Sequence, residues 1–372
     1  MSEYEEDEGP TQPEEYGYAQ FQHMFPLDDE SGNEYDLPTP PDDIHQPDEE
    51  RQHYGPVVYN EDGEEVQPLY FRLSQATGKR KALLIGCNYP GSSAPLNGCI
   101  NDVFNIKRFL IGMDNLLAYD EADIRVLTDD ESTHGEIGEA QPTRETMIEY
   151  IDWLVGDAET DDSLFFFYSG HGGNQDDHDG DEWDGKDESI CPTDYENAGV
   201  IVDDELYDLL VKPLPEGAGL TALFDSCHSG SVLGDSSLLI PMEKKTGTFT
   251  LQTYHGQCYE TCGTIKAPED LQEDAEAEAL GTEDHQKRYK WSPADVVSLS
   301  GCRDNQFSSD AQFGGLPSGA LSYAFIRAFH KFPELTYDQL LKAIFNELKG
   351  KFDQRPQLSG SHPIDMDLLF VQ

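Results

Sequence analysis

Basic residues are scarce in this sequence of 372: 24 Lys and Arg stand against 74 Asp and Glu, for a formal net charge of -50. A chain so acidic repels phosphate backbones and anionic headgroups, which argues against nucleic acid and against membranes as partners. It suits basic ligands, cations or plain solubility. Long apolar runs are missing too, since none reaches the ~18 residues of a membrane-spanning helix. The first ten residues, "MSEYEEDEGP", are the reverse of a basic-then-apolar leader, so no secretory signal is expected. The seven cysteines (Cys87, Cys99, Cys191, Cys227, Cys258, Cys262, Cys302) contain no C-x-x-C pair, and their number is odd. The pattern predicts free thiols in a reducing compartment, the cytoplasm or else the nucleus.

What is present divides the chain by texture. Residues 1–74 read as an acidic arm: the first 60 carry 17 Asp and Glu and one Arg, among many Pro, Gln and Tyr. That mix cannot bury enough surface to offset chain entropy, which predicts disorder. From residue 75 short apolar runs appear: "KALLIGC" (81–87), "IRVLTD" (124–129), "SLFFFYSG" (163–170), "LTALFDSC" (220–227) and "VVSLSGC" (296–302). Near-continuous apolar segments suit strands covered on both faces. Helical patterns lie between them. "TRETMIEYIDWLVGDA" has Thr143 as N-cap and Met147, Ile148, Ile151, Leu154 and Val155 on one face; "NDVFNIKRFLIGM" from Asn101 reads alike; in "TYDQLLKAIFNELKGKF", Thr336 and Gln339 fit a capping box. The alternation predicts an α/β domain with a mainly parallel central sheet flanked by helices. Residues 236–292 break the rhythm with a polar, charged insertion, expected to be a mobile linker. It separates a large part, 75–235, from a small part, 293–372, that completes the sheet.

In open parallel sheets, ligands bind outside the carboxyl ends of the strands. Two strands here end in reactive groups. One delivers His171, followed by Gly172 and Gly173; the other delivers Cys227, 56 residues later, with a single helical pattern ("DDELYDLLV") between. That βαβ arrangement lets the two side chains meet. A thiol of ordinary pKa ~8.5 needs a neighbouring imidazole to become a nucleophile at neutral pH. The N–H groups of Gly172 and Cys227 are candidates for an oxyanion hole. His228 adjoins the thiol in sequence, so its side chain points elsewhere. Asp225, two before Cys227 and on the same side of the strand, offers a carboxylate to a guanidinium or ammonium group.

"YSGHGG" followed by "DSCHSGSVL", with "GKRKALLIGCNYPG", "LNGCINDV" and "SLSGCRDNQFSSDA", resembles the metacaspases, caspase-related cysteine peptidases. The caspase motif Gln-Ala-Cys around the nucleophile is absent. The order of arm, large part, linker and small part resembles the type I group. The resemblance implies a caspase-like fold, protein or peptide substrates cut after Arg or Lys, a monomer, a self-processed zymogen and a link to programmed cell death. It adds Cys99, Asp102 and Ser169 to Asp225 as walls of the primary pocket. Asp102 has a second reading, because Asn101 or Asp102 can simply start the following helix. Asp304 fits either the pocket rim or an ordinary turn.

Eight acids crowd residues 174–188, "NQDDHDGDEWDGKDE". The stretch is either a solvated loop or part of a Ca²⁺ site, and its residues do not fit an EF-hand. By resemblance the Ca²⁺ ligands fall on Asp187, on Asp203 and Asp204, and on Asp235, which stands one position later than the family's acid. His255, Cys258 and Cys262 raise zinc, but the spacing lacks a second half. A peptidase specific for basic residues should cut its own linker, where Lys244, Lys245, Lys266, Lys287, Arg288 and Lys290 are candidates. Two other readings compete: a silent scaffold that keeps the fold, and a calcium-binding regulator without turnover.

Overall fold

The computed structural model describes residues 44–48, 50–54, 58–59, 65–66, 69–112, 119–130, 139–176, 186–226, 237–243, 249–255, 257–258, 292–301, 310–313, 316–349, 356–362 and 364–370. Four short strands come first: β1 (Gln52–Tyr54), β2 (Val58–Tyr59), β3 (Glu65–Val66) and β4 (Leu69–Phe71), paired antiparallel as β1 with β4 and β2 with β3. Phe71, which ends β4, and Leu73 join the core. Then come β5 (Arg80–Gly86), β6 (Ile124–Thr128), β7 (Ser163–Ser169), β8 (Gly172–Asp176), β9 (Lys186–Ile190), β10 (Ile201–Val202) and β11 (Gly219–Asp225). The last strands are β12 (Ser237–Glu243), β13 (Phe249–His255), β14 (Gln257–Cys258), β15 (Asp295–Ser300), β16 (Asp310–Phe313), β17 (Leu316–Gly319) and β18 (Gln357–Gly360). The helices are α1 (Cys99–Gly112), α2 (Arg144–Val155), α3 (Tyr195–Ala198), α4 (Asp203–Leu206), α5 (Ala320–Lys331) and α6 (Tyr337–Leu348).

The central sheet has the order β6-β5-β7-β11-β15-β18-β12-β13-β14. β6, β5, β7, β11 and β15 run parallel; β18 is antiparallel to both its neighbours. The small part therefore completes the sheet with β15 and β18. β12, β13 and β14 lie within residues 236–292, and the six basic candidates of that segment lie outside the described residues.

Successive strand residues face opposite sides, and here both sides are covered. Ala82 and Leu84 of β5, Phe165 and Phe167 of β7, and Leu223 of β11 enter one core with α1, α5 and α6. Leu83 and Ile85, Leu164, Phe166 and Tyr168, and Ala222 and Phe224 enter the other, with α2. This is why those strands read as continuous apolar runs. The first core is rich in rings: Phe325 lies 5.5 Å from Phe109 and 5.1 Å from Phe329. Phe325→Ala is expected to cost about 3–5 kcal/mol in a fully buried site of this kind. Helix starts follow local chemistry. Thr143 caps α2, and Thr336 with Gln339 forms a reciprocal capping box at α6. Among the described residues no helix is long and apolar enough to cross a membrane.

Candidate active site

β7 and β11 lie side by side with Asp225 opposite Ser169. His171 and Cys227 each follow that pair by two residues, so the register brings together the strands that lead to both. Cys227 itself lies outside the described residues, as do Asp235 and Asp304. Strand alternation turns Ser169 and Asp225 toward the α1 and α5 side of the sheet.

There they meet Asp102. Helix α1 begins at Cys99, whose N–H donates to Asn88 Oδ1 at 3.1 Å. Asp102 is thus inside the helix, and its reading as the residue that starts it is corrected: Asn88 supplies the cap. The Asp102 carboxylate, 1% exposed, instead accepts the Gly319 N–H on both oxygens at 2.9 Å and the Ser169 Oγ–H at 3.0 Å. Asp225, 3% exposed, accepts the Ser322 N–H at 2.8 Å and the Ser322 Oγ–H at 2.9 Å. The two carboxylates converge. A Cβ on Gly319 would lie 2.2 Å from Asp225 Oδ2 and 2.9 Å from Asp102 Oδ2. Gly319 is the N-cap of α5 and has no side chain, so two aspartates from the large part cap a helix of the small part. Helix-end N–H groups and the positive end of the helix dipole offset the cost of burying the acids. Cys99 is buried one turn ahead of Asp102. Sequence reasoning missed Gly319 and Ser322. The available signal was a helix, "ALSYAFIRAFHK", that starts after glycine without a capping side chain.

His171 is held differently. Its Nε2 lies 2.6 Å from the Ala94 carbonyl oxygen. A carbonyl only accepts, so Nε2 carries a proton and Nδ1 of the neutral ring is left as acceptor. The ring stacks on Tyr89 at 4.6 Å between centroids and 27° between planes. The His171 N–H donates to the Tyr89 hydroxyl at 2.9 Å, and its carbonyl accepts the Cys191 N–H at 3.1 Å. The Tyr168 hydroxyl sits 2.7 Å from the same carbonyl. Burial pushes the Tyr89 and Tyr168 hydroxyls well above their ordinary pKa, so both stay protonated. Burial does the same to the Cys87 thiol, which makes it inert rather than nucleophilic. Ala94, Tyr89 and Tyr168 were also missed; "GKRKALLIGCNYPG" entered only as a motif of the resemblance, with nothing in it to mark Tyr89 as a contact of His171. Gly172 opens β8 opposite Ile190 of β9.

The acids assigned to Ca²⁺ lie beyond this pair of strands. β8, β9 and β10 form a small antiparallel sheet. Ile201 pairs with Ile190 and Val202 with Ser189, so the chain next carries Asp203 and Asp204 toward the Asp187 end of β9. Asp187 is 6% exposed and Asp203 0%. Arg144 at the start of α2 grips Glu205 through two contacts of 2.6 and 2.5 Å, which anchors α4 at the residue that follows its two aspartates. Among the described residues, no three His, Cys, Asp or Glu side chains are gathered closely enough to hold a metal. Residues 177–185 of the acidic loop and Cys262 lie outside the described residues; His255 ends β13 and Cys258 ends β14.

Comparison with known proteins identifies relatives of the chain. The family described as metacaspase, peptidase C14 domain, matches residues 80–236. A Metacaspase-1 of Cryptococcus neoformans is 45% identical over 335 residues, spanning 87% of this chain and 71% of that one. Metacaspase-1 of Schizosaccharomyces pombe is 44% identical over 313 residues (81% and 72%), and that of Eremothecium gossypii 43% over 348 residues (90% and 73%). A Geobacter sulfurreducens crystal structure superposes with a TM-score of 0.47 at 24% identity, over 77% of this chain and 95% of that one, too loose a match to add anything.

Proposed function

This chain belongs to the metacaspase family of cysteine peptidases, and from that premise we propose that it is a calcium-activated endopeptidase that cuts proteins after Arg or Lys and processes its own 236–292 segment. The observation that carries the catalytic part is the register of β7 against β11, which sets Ser169 opposite Asp225 two residues ahead of His171 and Cys227. The Cys227 thiol gives its proton to Nδ1 of His171, the nitrogen left open by the bond to Ala94. The thiolate attacks the scissile carbonyl, and the Gly172 and Cys227 N–H groups take the oxyanion. His171 then returns the proton to the leaving amine, and water hydrolyses the acyl-enzyme. The converging carboxylates of Asp102 and Asp225, beside Ser169 and Cys99, support a basic side chain in the primary pocket.

Asp187, Asp203 and Asp204 are hard carboxylates of the kind Ca²⁺ takes, two of them buried, on elements joined by the β9–β10 pairing, although the three side chains do not stand close enough together to form a ready-made site. These residues would hold the ion, which would supply positive charge to offset their carboxylates. The same small sheet includes Gly172, which ties that region to the oxyanion donors. The protein is expected to act as a monomer. The test is hydrolysis of fluorogenic peptides ending in Arg, Lys or Asp, with and without millimolar Ca²⁺, by the wild type and Cys227→Ala. Arg/Lys cleavage that requires both Cys227 and calcium is the expected result. Cleavage without calcium removes the metal from the reading, cleavage after Asp removes the role of Asp225, and no turnover with slow alkylation of Cys227 favours the scaffold.

A further inference from the structure

We infer that Tyr89 is the positioning residue of this site: it holds His171 in its working orientation through its ring face and its hydroxyl together. This rests on the reading of His171 as the base. The first observation is the backbone. Tyr89 has φ 50°, in the left-handed region that a bulky side chain rarely adopts. Such a conformation persists only where its surroundings enforce it, and it concentrates at functional sites. Here the enforcement is visible. The buried Asp129 carboxylate accepts the N–H of Asn88 at 2.9 Å and that of Tyr89 at 2.6 Å. The Tyr89 carbonyl accepts the Ser92 N–H at 3.1 Å, and the Asn88 carbonyl accepts the Leu96 N–H at 2.8 Å. Ala94, which fixes the His171 tautomer, sits inside the same loop.

The second observation is what the unusual backbone achieves. It aims the phenol so that one face lies against the His171 ring, while Tyr195 meets the Tyr89 ring edge-on at 6.1 Å and 85°. The hydroxyl accepts the His171 N–H and lies 2.6 Å from the Cys191 carbonyl. Ring and backbone of one histidine are thereby held by one residue. The chain leaves no slack around this contact: a Cβ on Gly170 would stand 2.6 Å from the Tyr168 hydroxyl and 2.8 Å from that of Tyr89. A tyrosine serving the core alone would need neither the strained backbone nor the histidine stack.

Tyr89→Phe keeps the ring and removes the hydroxyl, leaving a shielded N–H on His171. We expect kcat on an Arg peptide to fall about tenfold with KM nearly unchanged. Alkylation of Cys227 by iodoacetamide at neutral pH should slow in parallel. Tyr89→Leu also removes the ring face and should lower kcat further, about a hundredfold. In a Cys227→Ala background, Leu at this position should move the His171 ring protons downfield by loss of the ring current, whereas Phe should not. Thermal unfolding of each variant separates loss of fold from loss of alignment, and Tyr89→Phe carries the test if Tyr89→Leu does not fold. Folded variants with kcat, alkylation rate and ring-proton shifts at wild-type values overturn the proposal. If His171→Ala is itself fully active, the reading of the base has failed instead.

Discussion

The two halves of the site are built on different principles. The acid half, Asp102 with Asp225, is buried and is held by side chains and helix-end N–H groups from across the molecule, with Gly319 and Ser322 arriving from the small part. The histidine half is local. Residues 88–96 fold a loop around one strained tyrosine and hold His171 through the Tyr89 ring and hydroxyl and the Ala94 carbonyl. On the proposed roles, the difference makes recognition and proton transfer separable here. Changes to α5 should speak to KM, and changes to the 88–96 loop to kcat.

The sharpest way to break that division is at His171. His171→Ala should lower kcat by about 10²–10⁴-fold, the usual worth of a general base, while KM for an Arg peptide holds steady. Steady-state kinetics decide it: a parallel rise in KM would mean that the imidazole also shapes the pocket. The next largest effect is expected from Gly319→Ala on the other side. Its Cβ falls 2.2 Å from Asp225 Oδ2, far inside contact distance, so the carboxylate must move. KM for Arg and Lys peptides should rise at least tenfold while Cys227 alkylation stays at the wild-type rate. Slowed alkylation would show that the halves are coupled. Ser322→Ala is the milder version. It removes the 2.9 Å hydroxyl bond to Asp225 but keeps the 2.8 Å backbone bond. One hydrogen bond to a charged group is worth about 1.5–3 kcal/mol, only part of which reaches the substrate, so a several-fold rise in KM is expected. An unchanged KM would leave Ser322 as a cap and nothing more.

The fold was legible because its cause is local. Strands such as "SLFFFYS" are apolar on both faces since both faces are covered, and Thr143, Thr336 and Gln339 announce their helix starts. Asp225 stood out in the sequence by its spacing from Cys227, as a candidate wall of the primary pocket. What the sequence hid is what only register and packing create. Nothing in "SGALS" marks Gly319 and Ser322 as partners of aspartates 217 and 97 positions away. A backbone carbonyl such as that of Ala94 has no residue type to read, and a positive φ at Tyr89 follows from the surrounding contacts, not from tyrosine. Asp102 was ambiguous for the same reason: in sequence it looks like a helix start, and only α5 shows where its oxygens go.

The smallest effect concerns Asp129, the anchor under Tyr89, and it sharpens the account of the histidine half. Burial pushes its carboxyl above the ordinary range, against the opposing pull of the Asn88 and Tyr89 amides. A folded-state pKa above the unfolded one means that the proton is held more tightly when the chain is folded. Stability from this group is therefore fully present below the unfolded value of ~3.9 and is lost as pH rises through the folded one. Asp129→Asn cannot titrate, so the difference in Tm between wild type and variant should shift in favour of the wild type as pH falls from neutral to about 4. The many other acids of the chain respond alike in both proteins and cancel. At neutral pH the ionised acid destabilises the fold yet is the better holder of Tyr89, because Asn offers one acceptor where two N–H groups point. Alkylation of Cys227 at pH 7 should then be slower in Asp129→Asn by a few-fold, the result of about 1 kcal/mol at the anchor. A Tm difference that does not vary with pH would remove the perturbed carboxyl. An unchanged alkylation rate would detach Asp129 from the histidine half.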